Sequence, residues 1–169
     1  MNYSFSISTK KGDEYRVMLF DADISQLAGN VKAVIAENNI DLSEIMIDRV
    51  RGSYSTAQEV LHAITGRIAD VFAENPNLVF YYSCDDINPI PSRNTKGANK
   101  DLSVQEYRSR LFSHIFDSYM YSHQVSGINN TPVIINGYGY SQYMHLIARS
   151  KHQAIIDLIK NDVIEGWGK

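Results

Sequence analysis

An uninterrupted apolar run at residues 78–82, Leu-Val-Phe-Tyr-Tyr, constrains the fold of this chain more than any other feature. The run is rich in β-forming side chains and shows no polar alternation, which is typical of a strand buried on both faces. The dipeptide Asn75-Pro76 stands just before it, and the residue before a proline is pushed out of the α region. We therefore expect a helix that ends near residue 75, followed by an interior strand.

The N-terminal segment predicts a β-hairpin. Tyr3, Phe5 and Ile7 alternate with serines, which indicates a half-buried strand. A Lys-Lys-Gly-Asp turn at residues 10–13 follows, and the alternation resumes at Tyr15. Two strands joined by a short turn are the simplest structure with this pattern.

Four later segments also fit strands. Residues 31–36 suit either a strand or a short helix, and the Asn38-Asn39 pair after them favours a strand closed by a turn. Residues 45–50 predict another strand. Residues 132–135 and 143–147 predict two strands that pair with each other.

Three capping signals predict three helices. In a capping box, a Ser or Thr hydroxyl and a Glu or Gln three residues later satisfy free backbone N–H groups at the helix start. Such signals begin at Thr56, Ser103 and Ser150, and apolar residues recur at helical spacing after each. The chain therefore predicts one α+β domain spanning residues 1–169, with a mainly antiparallel sheet and three helices packed on it.

Charge and cysteine content indicate which partners and which compartment to expect. Lys and Arg number 16 against 19 Asp and Glu, so the net charge of −3 gives no bulk positive field for nucleic acid or an anionic membrane. The apolar segments are too short to span a bilayer, and the N-terminus lacks the pattern of a signal peptide. The one cysteine, Cys84, excludes an intramolecular disulfide. We expect a cytoplasmic protein that binds neither nucleic acid nor membrane.

The second predicted helix carries two arginines in different surroundings. At 100° per residue, Arg108 falls among the apolar positions, whereas Arg110 lies on the opposite side near Glu106. A pair such as Glu106 and Arg110 on a helix surface contributes only a few tenths of a kcal/mol, roughly. Arg108 in an apolar layer needs a carboxylate or several carbonyl oxygens as partners, since an unpaired buried charge is very costly. Asp85 and Asp86, at the end of the preceding strand, are the nearest candidates.

Two interpretations of Arg108 follow. In the first, Arg108 and Asp85 form an ion pair that holds the helix against the strand, with no further role. In the second, Arg108 grips an anionic ligand at the mouth of the intervening loop, and Asp85, Asp86, Arg93 and His114 line the site with it. The residues alone leave both interpretations open.

Other chemistry has less support in the sequence. Cys84 lacks the surroundings of a cysteine nucleophile. Asp85 and Asp86 are neighbours on extended backbone and point to opposite faces, so they do not converge on a metal ion. No glycine pattern of a nucleotide-binding or phosphate-binding loop is present, and we expect neither cofactor nor metal. Tyr138, Tyr140 and Tyr143 belong either to a contact surface or, in part, to the core.

Two segments carry a resemblance to a known family. The strand sequence Phe80-Tyr81-Tyr82-Ser83-Cys84-Asp85, followed by Tyr107-Arg108-Ser109-Arg110-Leu111-Phe112, resembles a bacterial family of domains of unknown function. In that family a strand ending in Tyr-x-Cys-Asp precedes a helix with Arg-x-Arg-Leu-Phe. Residues 5–20 are also similar to the start of such proteins. The resemblance implies a shared fold over most of the chain and no assigned activity.

These patterns favour a non-catalytic binding protein. It would bind a protein partner or a second copy of itself, through an exposed strand edge or the tyrosine-rich hairpin near residue 140. The alternative is an enzyme or a binder of a small anionic ligand, with its site between the end of the 78–84 strand and the 103–121 helix. A deep pocket at that strand end would favour the alternative.

Overall fold

The computed structural model describes residues 2–52, 58–84, 101–137 and 139–167. Within these ranges the chain has an α+β fold, in which four α-helices flank a mixed sheet of six strands. The strands are β1 (Asn2–Ser8), β2 (Glu14–Asp21), β3 (Asp41–Arg51), β4 (Leu78–Cys84), β5 (Ile128–Asn136) and β6 (Ser141–Arg149). The helices are α1 (Gly29–Glu37), α2 (Gln58–Glu74), α3 (Val104–Ser122) and α4 (Gln153–Trp167).

The strands lie in the order β1-β2-β3-β4-β6-β5. β3 and β4 run parallel, and the other neighbouring pairs of this sheet are antiparallel. Two parallel neighbours need a crossover connection, which contains α2 here. The expected mainly antiparallel sheet is therefore corrected to a mixed one, because one of its central pairs is parallel.

β4 lies in the interior of the sheet between β3 and β6, as the apolar run predicts. Leu78, Val79 and Phe80 are fully buried. Because successive strand residues point to opposite faces, Leu78 and Phe80 pack with α2 and α3, whereas Val79 packs with α1 and α4. Each face of the sheet thus carries its own apolar core beneath a pair of helices.

The prediction of a strand at residues 31–36 is wrong, since these residues lie in α1. The prediction of three helices is wrong as well, because α1 is a fourth helix. Val31 and Ile35 are buried and stand four residues apart, which is the spacing of one helix face. The Asn38-Asn39 pair ends a helix and not a strand. The side chain of Asn38 donates to the carbonyl of Val34 at 2.9 Å, and Asn39 adopts a φ of 50° that asparagine tolerates.

Several other predictions are confirmed. β1 and β2 form the N-terminal hairpin, and β5 pairs with β6. The helix start at Ser103 is confirmed, because its Oγ accepts a hydrogen bond from the N–H of Glu106 at 3.0 Å. The signal at Thr56 lies outside the described residues. Ser150 begins a short 3₁₀ turn ahead of α4, and its hydroxyl donates to Oδ1 of Asn129 at 3.2 Å.

Among the helices in the described ranges, none combines the length and the apolar character needed to cross a membrane.

Candidate functional site

A cavity of about 570 Å³ lies between α2 and α3, over one face of the sheet. Both helices line it, together with β3, β6 and the segment that joins α3 to β5. Most of the lining side chains are aliphatic or aromatic. The lining residues are Ile45, Ile47, Leu61, Ile64, Thr65, Ile68, Ala69, Asp70, Phe72, Ala73, Phe112, Ile115, Phe116, Tyr119, Met120, Val125, Ser126, Gly127, Ile128, Ile147 and Arg149.

The periodicity of each element brings these apolar groups together. Ile45 and Ile47 are two residues apart on β3, so both side chains point to the face beneath the helices. Ile64 on α2 is buried in the core of this face, and Phe112 and Phe116 on α3 pack against the same core. The two phenylalanines are four residues apart and share one side of their helix. The cavity therefore has an apolar floor and two apolar walls.

Arg149 is one of the residues that line the cavity, and it contacts the C-terminal part of α2. Its guanidinium donates to the carbonyl oxygens of Phe72 at 2.7 Å and Asn75 at 2.9 Å. The guanidinium carbon also lies 4.5 Å from the centre of the Phe72 ring. A cation is favourable at a helix C-terminus, where unsatisfied carbonyl groups carry partial negative charge. Arg149 thus stabilises the end of α2.

A chain of hydrogen bonds runs beside the cavity and links α3 to β6 and β5. His145 is fully buried, and its Nε2 lies 2.9 Å from Oγ of Ser109. Its Nδ1 lies 2.8 Å from Oδ1 of Asn130, whose Nδ2 donates to Oγ of Ser113 at 3.3 Å. Because an amide oxygen can only accept, Nδ1 of His145 carries the hydrogen and Nε2 accepts from the Ser109 hydroxyl.

Burial holds this imidazole in its neutral form. Desolvation lowers the pKa of His145 from 6.5 to about 4. Aromatic rings surround it, with the centre of the Phe112 ring 4.7 Å away and that of Tyr82 6.3 Å away. The same Phe112 ring lines the cavity, so this side chain contacts both the cavity and the surroundings of His145.

The order of these bonds, from serine to histidine to an amide, is that of a nucleophile activated by a base and an orienting group. Ser109 is only 8% exposed and His145 is 0% exposed. Neither residue is among those that line the described cavity. Both nitrogens of the imidazole are satisfied within the protein, so the arrangement fits a buried connection between helix and sheet.

The sequence-based site is only partly within the described structure. Asp85, Asp86 and Arg93 lie outside the described residues, so the predicted ion pair of Arg108 with Asp85 stays a prediction. Arg108 is partly buried, and His114 is exposed. The anionic-ligand hypothesis therefore stays a prediction as well.

Helical phase placed the two arginines of α3 in different surroundings, and in the structure Arg108 is partly buried whereas Arg110 is exposed. The surface pair of Glu106 and Arg110 is confirmed, with 2.8 Å between Nη2 and Oε1. Ser109, and not Arg108, is the buried residue of this helix. The inward side of α3 thus includes a serine that the pattern of apolar residues did not identify.

The remaining candidates occupy different surroundings. Cys84 is buried at the end of β4, opposite Tyr143 on β6. Tyr140 is 63% exposed, Tyr143 is partly buried, and Tyr138 lies outside the described residues. Across the described ranges, no cluster of three or more His, Cys, Asp or Glu side chains is positioned to hold a metal ion.

Sequence reasoning missed both the cavity and the His145 chain. A histidine in the middle of the apolar strand sequence Tyr-Met-His-Leu-Ile was the available signal, because a buried histidine needs hydrogen-bond partners. Nothing in the sequence identified Ser109 and Asn130 as those partners. The cavity depends on the distance between two helices, which the sequence does not specify.

The fold and the site together define an α+β protein with an apolar cavity between two neighbouring helices. Comparison of the chain with models of known families, with curated proteins and with solved structures found no match.

Proposed function

We propose that this protein is a non-catalytic binding protein whose ligand is a small, uncharged, apolar molecule held between α2 and α3. The cavity of about 570 Å³ carries the proposal. Pockets that hold small molecules have volumes of roughly 300–1,000 Å³ and are predominantly apolar with a few polar groups. The α2–α3 cavity falls within that range and has that kind of lining.

The α2–α3 cavity is partly open to solvent and is larger than the voids of a packed interior. Protein interiors are packed as densely as organic crystals, and voids larger than a water molecule are few. Side chains that face an unfilled apolar volume also lose dispersion contacts. Phe112, Phe116 and Ile64 would regain such contacts with an apolar ligand. The ligand would therefore contribute to the packing of this face of the sheet.

The lining also indicates that the ligand is uncharged. Two of its residues carry full charges, Asp70 and Arg149. Asp70 is solvent-exposed, and Arg149 donates to the carbonyls of Phe72 and Asn75. A charged ligand group deep in the cavity would lack a counter-ion, and burial of an unpaired charge is very costly.

The His145 chain supports a non-catalytic role. A catalytic serine must reach its substrate, whereas Ser109 is buried and is not among the residues that line the cavity. A cytoplasmic location is part of the proposal, and the absence of a second cysteine in the sequence supports it.

Titration with N-phenyl-1-naphthylamine, an uncharged fluorophore that brightens in apolar surroundings, tests this proposal. We expect saturable binding to the unmodified protein. Ala69→Phe puts a ring into the cavity from α2 and should weaken binding by about tenfold or more. Ala63→Phe is the matched control, since Ala63 is exposed on the same helix and does not line the cavity. It should bind like the unmodified protein.

Competition with ligands of one chain length tests the charge preference. We expect 1-decanol to displace the fluorophore and decanoate to displace it more weakly, because the carboxylate finds no buried partner. Equal binding by the Ala69→Phe and unmodified proteins would contradict the assigned cavity. Stronger displacement by decanoate would contradict the uncharged ligand.

A further inference from the structure

The two edges of the described sheet differ in how well they are protected. β1 forms one edge and β5 the other. An edge strand exposes unpaired N–H and C=O groups that can pair with another strand, and proteins usually block such edges with proline, charge or bulges. β5 carries Pro132 at its centre, where the ring nitrogen has no hydrogen to donate. Such protection is missing from β1.

β1 has the features of a strand that can accept a neighbour. Its seven residues, Asn-Tyr-Ser-Phe-Ser-Ile-Ser, contain no charged residue and no proline. All seven pair with β2 in one continuous register, with no bulge. Tyr3 is 42% exposed, and its ring packs near that of Phe5 with 5.8 Å between centroids. The outer side of β1 is thus a regular and uncharged strand edge.

The sequence of β1 is complementary to itself when two copies run antiparallel. If the pairing is centred on Phe5, Tyr3 of one copy stands opposite Ile7 of the other, and Ser4 stands opposite Ser6. Apolar side chains then meet apolar side chains on the face that carries α2 and α3, and serines meet on the other face. If the pairing shifted by one residue, apolar residues of one copy would stand opposite serines of the other. The apolar side chains of the two copies would then lie on opposite faces of the sheet.

Charges at the ends of β1 fit the same arrangement. Asp70 and Glu74, near the end of α2, line a hollow beside Asn2 and Tyr3 together with Arg67, so the net charge of the hollow is negative. The exposed turn that begins with Lys10 follows the other end of the strand. In an antiparallel pair, the lysine turn of each copy lies near the start of β1 in the other copy, where Asp70 and Glu74 lie. The opposite charges at these two places favour the antiparallel orientation.

We propose that two copies of this protein associate through β1, antiparallel and centred on Phe5, so that the two sheets become one continuous sheet. The interface is isologous, because each copy contributes the same strand to a two-fold contact. The proposed dimer does not depend on the proposed ligand, since the β1 edge and the α2–α3 cavity are tested by different variants.

Sedimentation velocity on two matched double variants tests the pairing. The like-charge variant, Ser4→Glu with Ser6→Glu, puts two carboxylates opposite each other at both contacts between positions 4 and 6. The opposite-charge variant, Ser4→Lys with Ser6→Glu, puts an ammonium opposite a carboxylate at the same two contacts. In both variants the carboxylate at position 6 stands beside Arg16 of its own β2, so the variants differ only at position 4. Thermal unfolding checks that both fold as the unmodified protein does.

We expect the unmodified protein to sediment as a dimer and the like-charge variant as a monomer. The opposite-charge variant should sediment as a dimer that dissociates at high salt, because salt screens the new charge pairs. A monomeric unmodified protein would overturn the proposal. So would a like-charge variant that dimerises as well as the unmodified protein, or a folded opposite-charge variant that is monomeric at low salt.

Discussion

At the scale of single residues, burial sets the protonation state of His145. The ring is fully buried and has two neutral hydrogen-bond partners, Ser109 and Asn130. Neither partner offsets the cost of a buried positive charge, so desolvation dominates and the pKa falls to about 4. The neutral ring then satisfies two polar groups that would otherwise be buried without partners.

This protonation state predicts a pH dependence of stability. The pKa of His145 is about 4 in the folded protein and about 6.5 in the unfolded chain, so the unfolded chain binds the proton first as the pH falls. The free energy of unfolding should therefore be highest above pH 6.5 and decline between pH 6.5 and pH 4. A difference of roughly two and a half pKa units corresponds to about 3 kcal/mol.

Urea unfolding of the unmodified protein and of His145→Gln across this pH range isolates the contribution of His145 to the pH dependence of stability. Glutamine does not titrate, so the variant keeps the pH dependence of the carboxylates and loses that of the histidine. We expect the stability of the variant to fall less between pH 6.5 and pH 4. The same fall in both proteins would show that His145 does not titrate as its burial requires.

At the scale of elements, the C-terminal end of α2 depends on a residue from the far end of β6. Arg149 donates to two carbonyls there and stacks on Phe72. Arg149→Met keeps the apolar stem and removes both hydrogen bonds. Because hydrogen bonds from a charged group contribute about 1.5–3 kcal/mol, we expect a loss of about 2 kcal/mol in the free energy of unfolding.

Urea midpoints at constant m-value measure this loss. Met18→Leu, a change of similar apolar character on β2 far from α2, gives the reference for a substitution that removes no hydrogen bond. An ordinary surface substitution changes the free energy of unfolding by about 0.5 kcal/mol or less. If the free energies of unfolding of Arg149→Met and Met18→Leu differed by no more than that, the hydrogen bonds from Arg149 to the end of α2 would not contribute to stability.

The elements also show what the sequence could and could not predict. β4 and the N-terminal hairpin follow from local pattern, because an apolar run and a two-residue alternation each suit one kind of strand. Residues 31–36 were mistaken for a strand because the segment is short and its pattern suits either a strand or a helix. The α1 helix is stabilised by the packing of Val31 and Ile35 on the sheet. The β3–β4 parallel pairing depends on the long crossover through α2, which local pattern does not specify.

The site was less predictable than the fold. Ser109, Asn130 and His145 are up to 36 residues apart in the chain and meet only through tertiary packing. Each would be an ordinary polar residue in its own segment. The charged residues that drew attention in the sequence, from Asp85 to Arg93, lie outside the described structure. Most residues that line the α2–α3 cavity are apolar, and local pattern does not distinguish them from core residues.

At the scale of the whole molecule, the sheet separates two cores that differ in packing. The face with α1 and α4 has a buried cluster that includes Ile35 and Ile156, whereas the face with α2 and α3 contains the cavity. A ligand between α2 and α3 should therefore affect one side of the molecule. The isoleucines, present on both sides, can report on this difference residue by residue.

The most direct measurement of the central claim is a methyl NMR titration of isoleucine-labelled protein with 1-decanol. We predict that the methyl resonances of Ile47, Ile64 and Ile68, which line the cavity, shift and saturate together. Those of Ile35 and Ile156, on the opposite face of the sheet, should stay in place. Shifts spread equally over both faces, or no saturable shift at the cavity residues, would contradict a binding site between α2 and α3.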